Sequence, residues 1–121
     1  MHQYIRKHGT KSIYPQIMAD AEKIEDITFS KIISMLQNVL NRKWKPMQFR
    51  LKAADLLQSN KSEQRFGFYV SFMAELVPCL ERLDKYPKNK EIFNDNISAL
   101  MTIARKWVDD YPKKIERYSA T

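Results

Sequence analysis

The sequence predicts an all-α fold, a single-domain bundle of about five helices around a central apolar helix. Three observations carry this expectation. The 121 residues hold two glycines and five prolines, too few turn formers for a protein of many short strands. Apolar residues return at spacings of three and four through most of the chain, the period of a helix face. A hydrophobic content of 44% and an aromatic content of 12% supply the core of one domain of this length. The bundle is expected over residues 12–118. Residues 1–11, "MHQYIRKHGTK", show no periodicity and read as a mobile basic arm.

The elements follow in order. A first helix starts near Pro15, whose missing N–H costs nothing in a first turn, and turns Ile17, Ala21 and Ile24 inward. Asp26 or Thr28 can cap a second helix by accepting an otherwise unpaired backbone N–H. Its core face is Phe29, Ile32, Ile33, Leu36, Val39 and Leu40, and Pro46 ends it because the residue before a proline avoids helix. The third helix begins at Pro46, faces Phe49, Ala53, Leu56 and Leu57 inward, and stops at Asn60.

Ser62 is placed to cap a fourth helix containing "RFGFYVSFM", residues 65–73. That stretch superficially resembles the aromatic strand of an RNA-recognition motif. Its alternation fails after Phe72, where Leu76, Leu80 and Leu83 return at helical spacing. Gly67 and Phe68 also sit in the wrong frame for that motif. The stretch therefore reads as the buried middle of a helix. Pro78 should kink or restart this helix near Val77, since an interior proline costs about 3 kcal/mol. The last helix is expected from Lys88 to Asp110, with Phe93, Ile97, Leu100, Ala104, Trp107, Val108 and Tyr111 on one face and a short tail helix after Pro112.

Chemistry-bearing patterns are few. His2 and His8 lie in the presumed arm, where neither is held closely enough for general-base work. No His-x-x-x-His, Glu-x-x-His or Cys-x-x-Cys spacing points to a metal, and no Gly-rich loop points to a nucleotide cofactor. The lone Cys79 reads as a small core hydrophobe. The expectation is a non-enzymatic protein with no catalytic residues, metal or cofactor. The chain lacks an apolar run of membrane-spanning length and an export-type h-region, and one cysteine fits a reducing compartment. A cytoplasmic location is expected.

The net charge of +7 is unevenly spread. Residues 42–65 carry seven basic against two acidic side chains, a net +5, whereas residues 12–41 are net −2. Local basic excess is the electrostatic footprint of polyanion binding. The alternative is neutralisation by the acidic 20–26 segment after folding. The segment "NRKWKPMQFRLK", residues 41–52, surrounds Trp44 with cations at a helix–Pro–helix corner. Arg42, Lys43, Lys45, Arg50, Lys52, Lys61 and Arg65 are the candidate phosphate contacts, with Trp44 stacking on a base. RNA or single-stranded DNA is the expected partner. An acidic protein gripped by the same corner is the alternative, which would make the chain an adaptor or inhibitor. No helix pairs a Lys-rich face with an unshielded apolar one, so a membrane surface is not expected.

The stretch "DITFSKIISMLQNVL", residues 26–40, resembles the Thr-Thr-Ser-Lys helix opening of the small helical subunits of type III-A CRISPR effector complexes. Ile27, Thr28, Ser30, Lys31 and Ile32 match that opening, while Phe29 and Ile33 depart from it. Residues 76–107 are similar in layout to the last two helices of the same family. The family's Ala-Gly-Arg segment is replaced by "LLQSNKSEQR", so its arginine is not carried over. The resemblance implies a non-catalytic accessory subunit of an antiviral ribonucleoprotein, lining a guide–target filament through basic side chains.

Overall fold

The computed structural model describes residues 13–119, which form five helices and, among these residues, no strand. They are α1 (Tyr14–Lys23), α2 (Ile27–Leu40), α3 (Pro46–Ser59), α4 (Phe66–Lys85) and α5 (Lys90–Ser119). The arm expected over residues 1–11 lies outside the described residues. Among the described residues, no helix is long and apolar enough to cross a membrane.

Local sequence explains most boundaries. Asp26 caps α2, its carboxylate accepting the Phe29 N–H at 3.0 Å. Pro46 opens α3, and the Lys45 N–H finds the Gln48 side-chain oxygen at 2.8 Å. Asn60 closes α3, donating from its side chain to the Leu56 carbonyl at 2.8 Å. Ser62 does not cap α4. The helix starts four residues later at Phe66, because residues 60–66 first form turns joining Glu63 to Asn60 and Phe66 to Glu63. The start of α5 also shifts, to Lys90, where the Asn89 side chain accepts the Ile92 N–H at 2.9 Å.

Both internal prolines are absorbed. α4 runs unbroken through Pro78, so no restart occurs near Val77. Ala74, whose carbonyl loses its helical donor, is exposed together with Pro78, and water can take that donor's place. α5 likewise continues through Pro112 to Ser119, replacing the separate tail helix expected there. Ile115 and Tyr118 extend the stripe of Val108 and Tyr111 and pack against the core. Their burial outweighs the local cost of the proline.

The core is built of rings. α4 packs most extensively on α5, and contacts α1–α2, α2–α3, α3–α4 and α1–α5 close a ring of helices. Phe29 of α2, Phe68 and Phe72 of α4, and Trp107 and Tyr111 of α5 meet at centroid distances of 5.1–5.4 Å, mostly edge to face. Such pairs add about 0.5–1.5 kcal/mol each beyond their buried area. α4 is thus central through its rings rather than by being sheathed, since Val70, Ala74, Glu75 and Pro78 on its other face stay exposed. The exposed Glu75 still accepts the Trp107 indole N–H at 2.5 Å. Gly67 sits under the C-terminal end of α5, where a Cβ would come within 3.2 Å of the Tyr118 ring.

Candidate nucleic-acid interface

The basic corner between α2 and α3 is held by its backbone. The Arg42 and Trp44 N–H groups donate to the carbonyls of Val39 and Asn38, and the Lys43 N–H donates to the Asn41 side chain at 3.1 Å. Arg42 adopts a left-handed φ of 61°, a conformation that costs a non-glycine residue roughly 1–2 kcal/mol. In exchange its guanidinium lies 3.7 Å from the centroid of the Phe93 ring, a cation–π contact worth about 0.5–1 kcal/mol or more. Trp44 is half-buried against the core, between the fully stacked and fully packed extremes.

These residues wall a groove of about 350 Å³ where the corner meets the end of α4 and the start of α5. Arg42, Trp44 and Lys45 of the corner line it together with Leu83 and Asp84 of α4 and Phe93 of α5, the Arg42 guanidinium lying over the Phe93 ring. Lys43 projects from the same loop and is exposed. Lys52 is exposed and Arg50 half-buried on α3, about 200° apart around the helix, so they do not serve one track. Lys61 is exposed beyond the far end of α3, roughly 20 Å from the corner at 1.5 Å per residue.

Arg65 is partly engaged within the bundle: its guanidinium lies 3.3 Å from the Asp26 carboxylate, with the side chain 47% exposed. The acidic 20–26 segment thus reaches the basic stretch through Asp26 alone, among the described residues. Asp20 pairs with Arg105 at 2.9 Å and Lys23 at 4.0 Å, and Arg105 holds Asp20 below the usual carboxylate range. Among the described residues, Arg42, Lys43, Lys45, Arg50, Lys52 and Lys61 have no carboxylate within 4.0 Å.

Sequence reasoning saw Asp26 as a cap and missed the rest of its surroundings. Its carboxylate, 3% exposed, accepts the Tyr69 O–H at 2.9 Å and the Tyr111 O–H at 2.6 Å. Burial, reinforced by donation to Asp26, pushes the Tyr69 phenol up to about 12 and raises that of Tyr111 as well. The available signal was two tyrosines at core positions of apolar helix faces, because a buried phenol needs an acceptor. With both carboxylate oxygens engaged, this centre joins α2, α4 and α5.

Cys79 is half-buried, and burial raises its thiol above the ordinary range, opposed in part by Arg82. Among the described residues, no group of three or more His, Cys, Asp or Glu is placed to hold a metal ion. Compared with protein-family models, curated proteins and solved structures, the chain matches none.

Proposed function

We propose that this protein binds single-stranded nucleic acid, RNA first of all, as a non-enzymatic accessory subunit of a ribonucleoprotein. The observation that carries the reading is the corner at residues 42–45. Three cations flank a half-buried indole there, with no carboxylate within 4.0 Å among the described residues. Phosphates would neutralise Arg42, Lys43 and Lys45, with Lys52 extending the contact along α3. Trp44 and the Arg42–Phe93 pair offer planar surfaces on which bases stack for about 1–3 kcal/mol each. The likeness of residues 26–40 and 76–107 to type III-A CRISPR small subunits supports the same reading and names one kind of assembly.

The test is fluorescence anisotropy of an unstructured RNA titrated at several salt concentrations. Each single-strand phosphate contact contributes about −0.7 to the slope of log affinity against log salt. Changing Arg42, Lys43 and Lys45 to Glu should abolish tight binding and make the slope shallower by about 2. Weak binding, equal for both proteins at low salt, would exclude the reading.

A second reading, an acidic protein partner, draws on a different feature. Met47 and Leu51, one turn apart on α3, are 49% and 61% exposed, in a segment that also carries the exposed Lys43, Lys45 and Lys52. An apolar stripe edged with cations suits a protein surface better than a phosphate backbone.

A further inference from the structure

We propose that the groove beside the corner receives one nucleobase, and that Asp84 selects guanine. The proposal rests on the nucleic-acid reading above and gives it a base preference. The groove, about 350 Å³, is at the lower end of the roughly 300–1,000 Å³ typical of small-ligand sites. Its lining is mixed: Arg42 and Lys45 bring positive charge, Trp44 offers a flat apolar surface, and Phe93 carries the Arg42 guanidinium on its ring. Asp84 also lines the groove and is exposed, and among the described residues its carboxylate has neither a hydrogen bond nor an ion pair.

An occupant matching all three features has an anionic end, a planar middle and an edge that donates hydrogen bonds. A nucleotide has this form. An acidic peptide offers its carboxylates no partner at Asp84, and a lipid phosphate offers no planar body. Among the bases, the requirement narrows further because an ionised carboxylate only accepts. Guanine presents N1–H and N2–H side by side, matching the two carboxylate oxygens. Adenine and cytosine pair one amino donor with a ring nitrogen whose lone pair would face the carboxylate. Uracil sets a single N–H between two carbonyls. The left-handed Arg42 backbone and its stack on Phe93 fix the wall against which the base lies, a pre-organisation that favours one geometry over many.

The experiment compares short oligouridylates carrying a single central G, A, C or U, read by anisotropy at one salt concentration. The proteins are the wild type, Asp84→Asn, and Glu81→Gln as a control that removes a neighbouring exposed charge outside the groove. Far-ultraviolet circular dichroism confirms that each variant is folded. The wild type and Glu81→Gln should prefer the G oligonucleotide by about tenfold or more, the scale of a good bidentate base contact. Asp84→Asn should lose that preference, since an amide offers one acceptor and one donor.

Four oligonucleotides binding equally, with steep salt dependence intact, would overturn the guanine pocket and leave the phosphate-binding corner standing. If no oligonucleotide binds, guanosine and adenosine monophosphates are titrated while tryptophan emission is followed, with Trp44→Phe as the blank. Quenching by the guanine nucleotide that disappears in Asp84→Asn sustains the pocket for a free nucleotide and sinks the RNA reading. No quenching by either nucleotide overturns both.

Discussion

Two regions of this small bundle handle charge in opposite ways. At the Asp26 centre, one carboxylate is withdrawn from water and surrounded by a backbone N–H, two phenols and a guanidinium. At the 42–45 corner, cations stand on a rigid turn with no carboxylate within 4.0 Å among the described residues. The first arrangement uses polarity to fix how helices meet. The second leaves polarity available to something outside the chain. A charged residue's part therefore depends on which partners the fold brings to it, and its sign alone is a poor guide.

The largest expected effect breaks the first region. Asp26→Ala leaves two buried phenols and a helix-start N–H without their acceptor, and should cost about 3–5 kcal/mol in urea unfolding. Asp26→Asn keeps one acceptor oxygen and should cost distinctly less. Arg65→Ala should cost about 1 kcal/mol or below, because its 47%-exposed side chain is screened by solvent. A cost for Arg65→Ala equal to that of Asp26→Ala would show that the ion pair, and not the phenols, holds the centre.

The next effect is on the second region. Changing Arg42, Lys43 and Lys45 to Glu should weaken RNA binding on the order of a hundredfold at low salt. The same change should move stability by about 1 kcal/mol at most, chiefly from the lost contact with Phe93. A large fall in melting temperature would mean that the corner is structural after all, and the contrast between the regions would dissolve.

Alkaline titration sharpens the contrast. The Tyr69 phenol titrates near 10.0 when unperturbed and near 12 in the folded protein, and Tyr111 is shifted in the same direction. The unfolded chain then binds fewer protons than the native state above pH 10, so stability must fall as pH rises through that window. Below pH 10 the contribution is fully present. Urea midpoints measured from pH 8 to pH 11 should decline beyond pH 10, and the decline should shrink in Tyr69→Phe. A midpoint that stays level to pH 11 would contradict it.

The smallest effect compares two backbones. Glu25 and Arg42 share a left-handed φ, 63° and 61°, but only Arg42 has a ring beneath its side chain. Glu25→Gly should stabilise by about 0.5 kcal/mol, the relief of strain less the added freedom of the unfolded chain. Arg42→Gly should come out near zero, because it also removes the contact with Phe93. Equal gains at both positions would argue that the Arg42 stack contributes little.

Much of the fold was legible because periodicity is local. The six apolar positions read on α2, from Phe29 to Leu40, are the six that the structure buries, and Phe68 and Phe72 of the "RFGFYVSFM" stretch are fully enclosed. Local rules failed where distant packing overrode them, as at Pro112, past which Ile115 and Tyr118 draw α5 onward. The site was less legible. Charge at Arg65 was visible in the sequence, but its partner Asp26 lies 39 residues away. The Tyr111 phenol reaches the same carboxylate across 85 residues. No spacing pattern encodes pairings of that range, and none marks Asp84 as a lining residue of the groove beside the corner.

Gly67 carries one last consequence. Its bare backbone, in the first turn of α4, is the seat for the Tyr118 ring near the end of α5. Helix ends ordinarily fray independently, with opening free energies near zero. Here two such ends are fastened to each other, so the beginning of one helix and the finish of the next tend to open as one cooperative unit. Amide exchange in those two turns should accordingly rise and fall together, although some fifty residues of chain separate them.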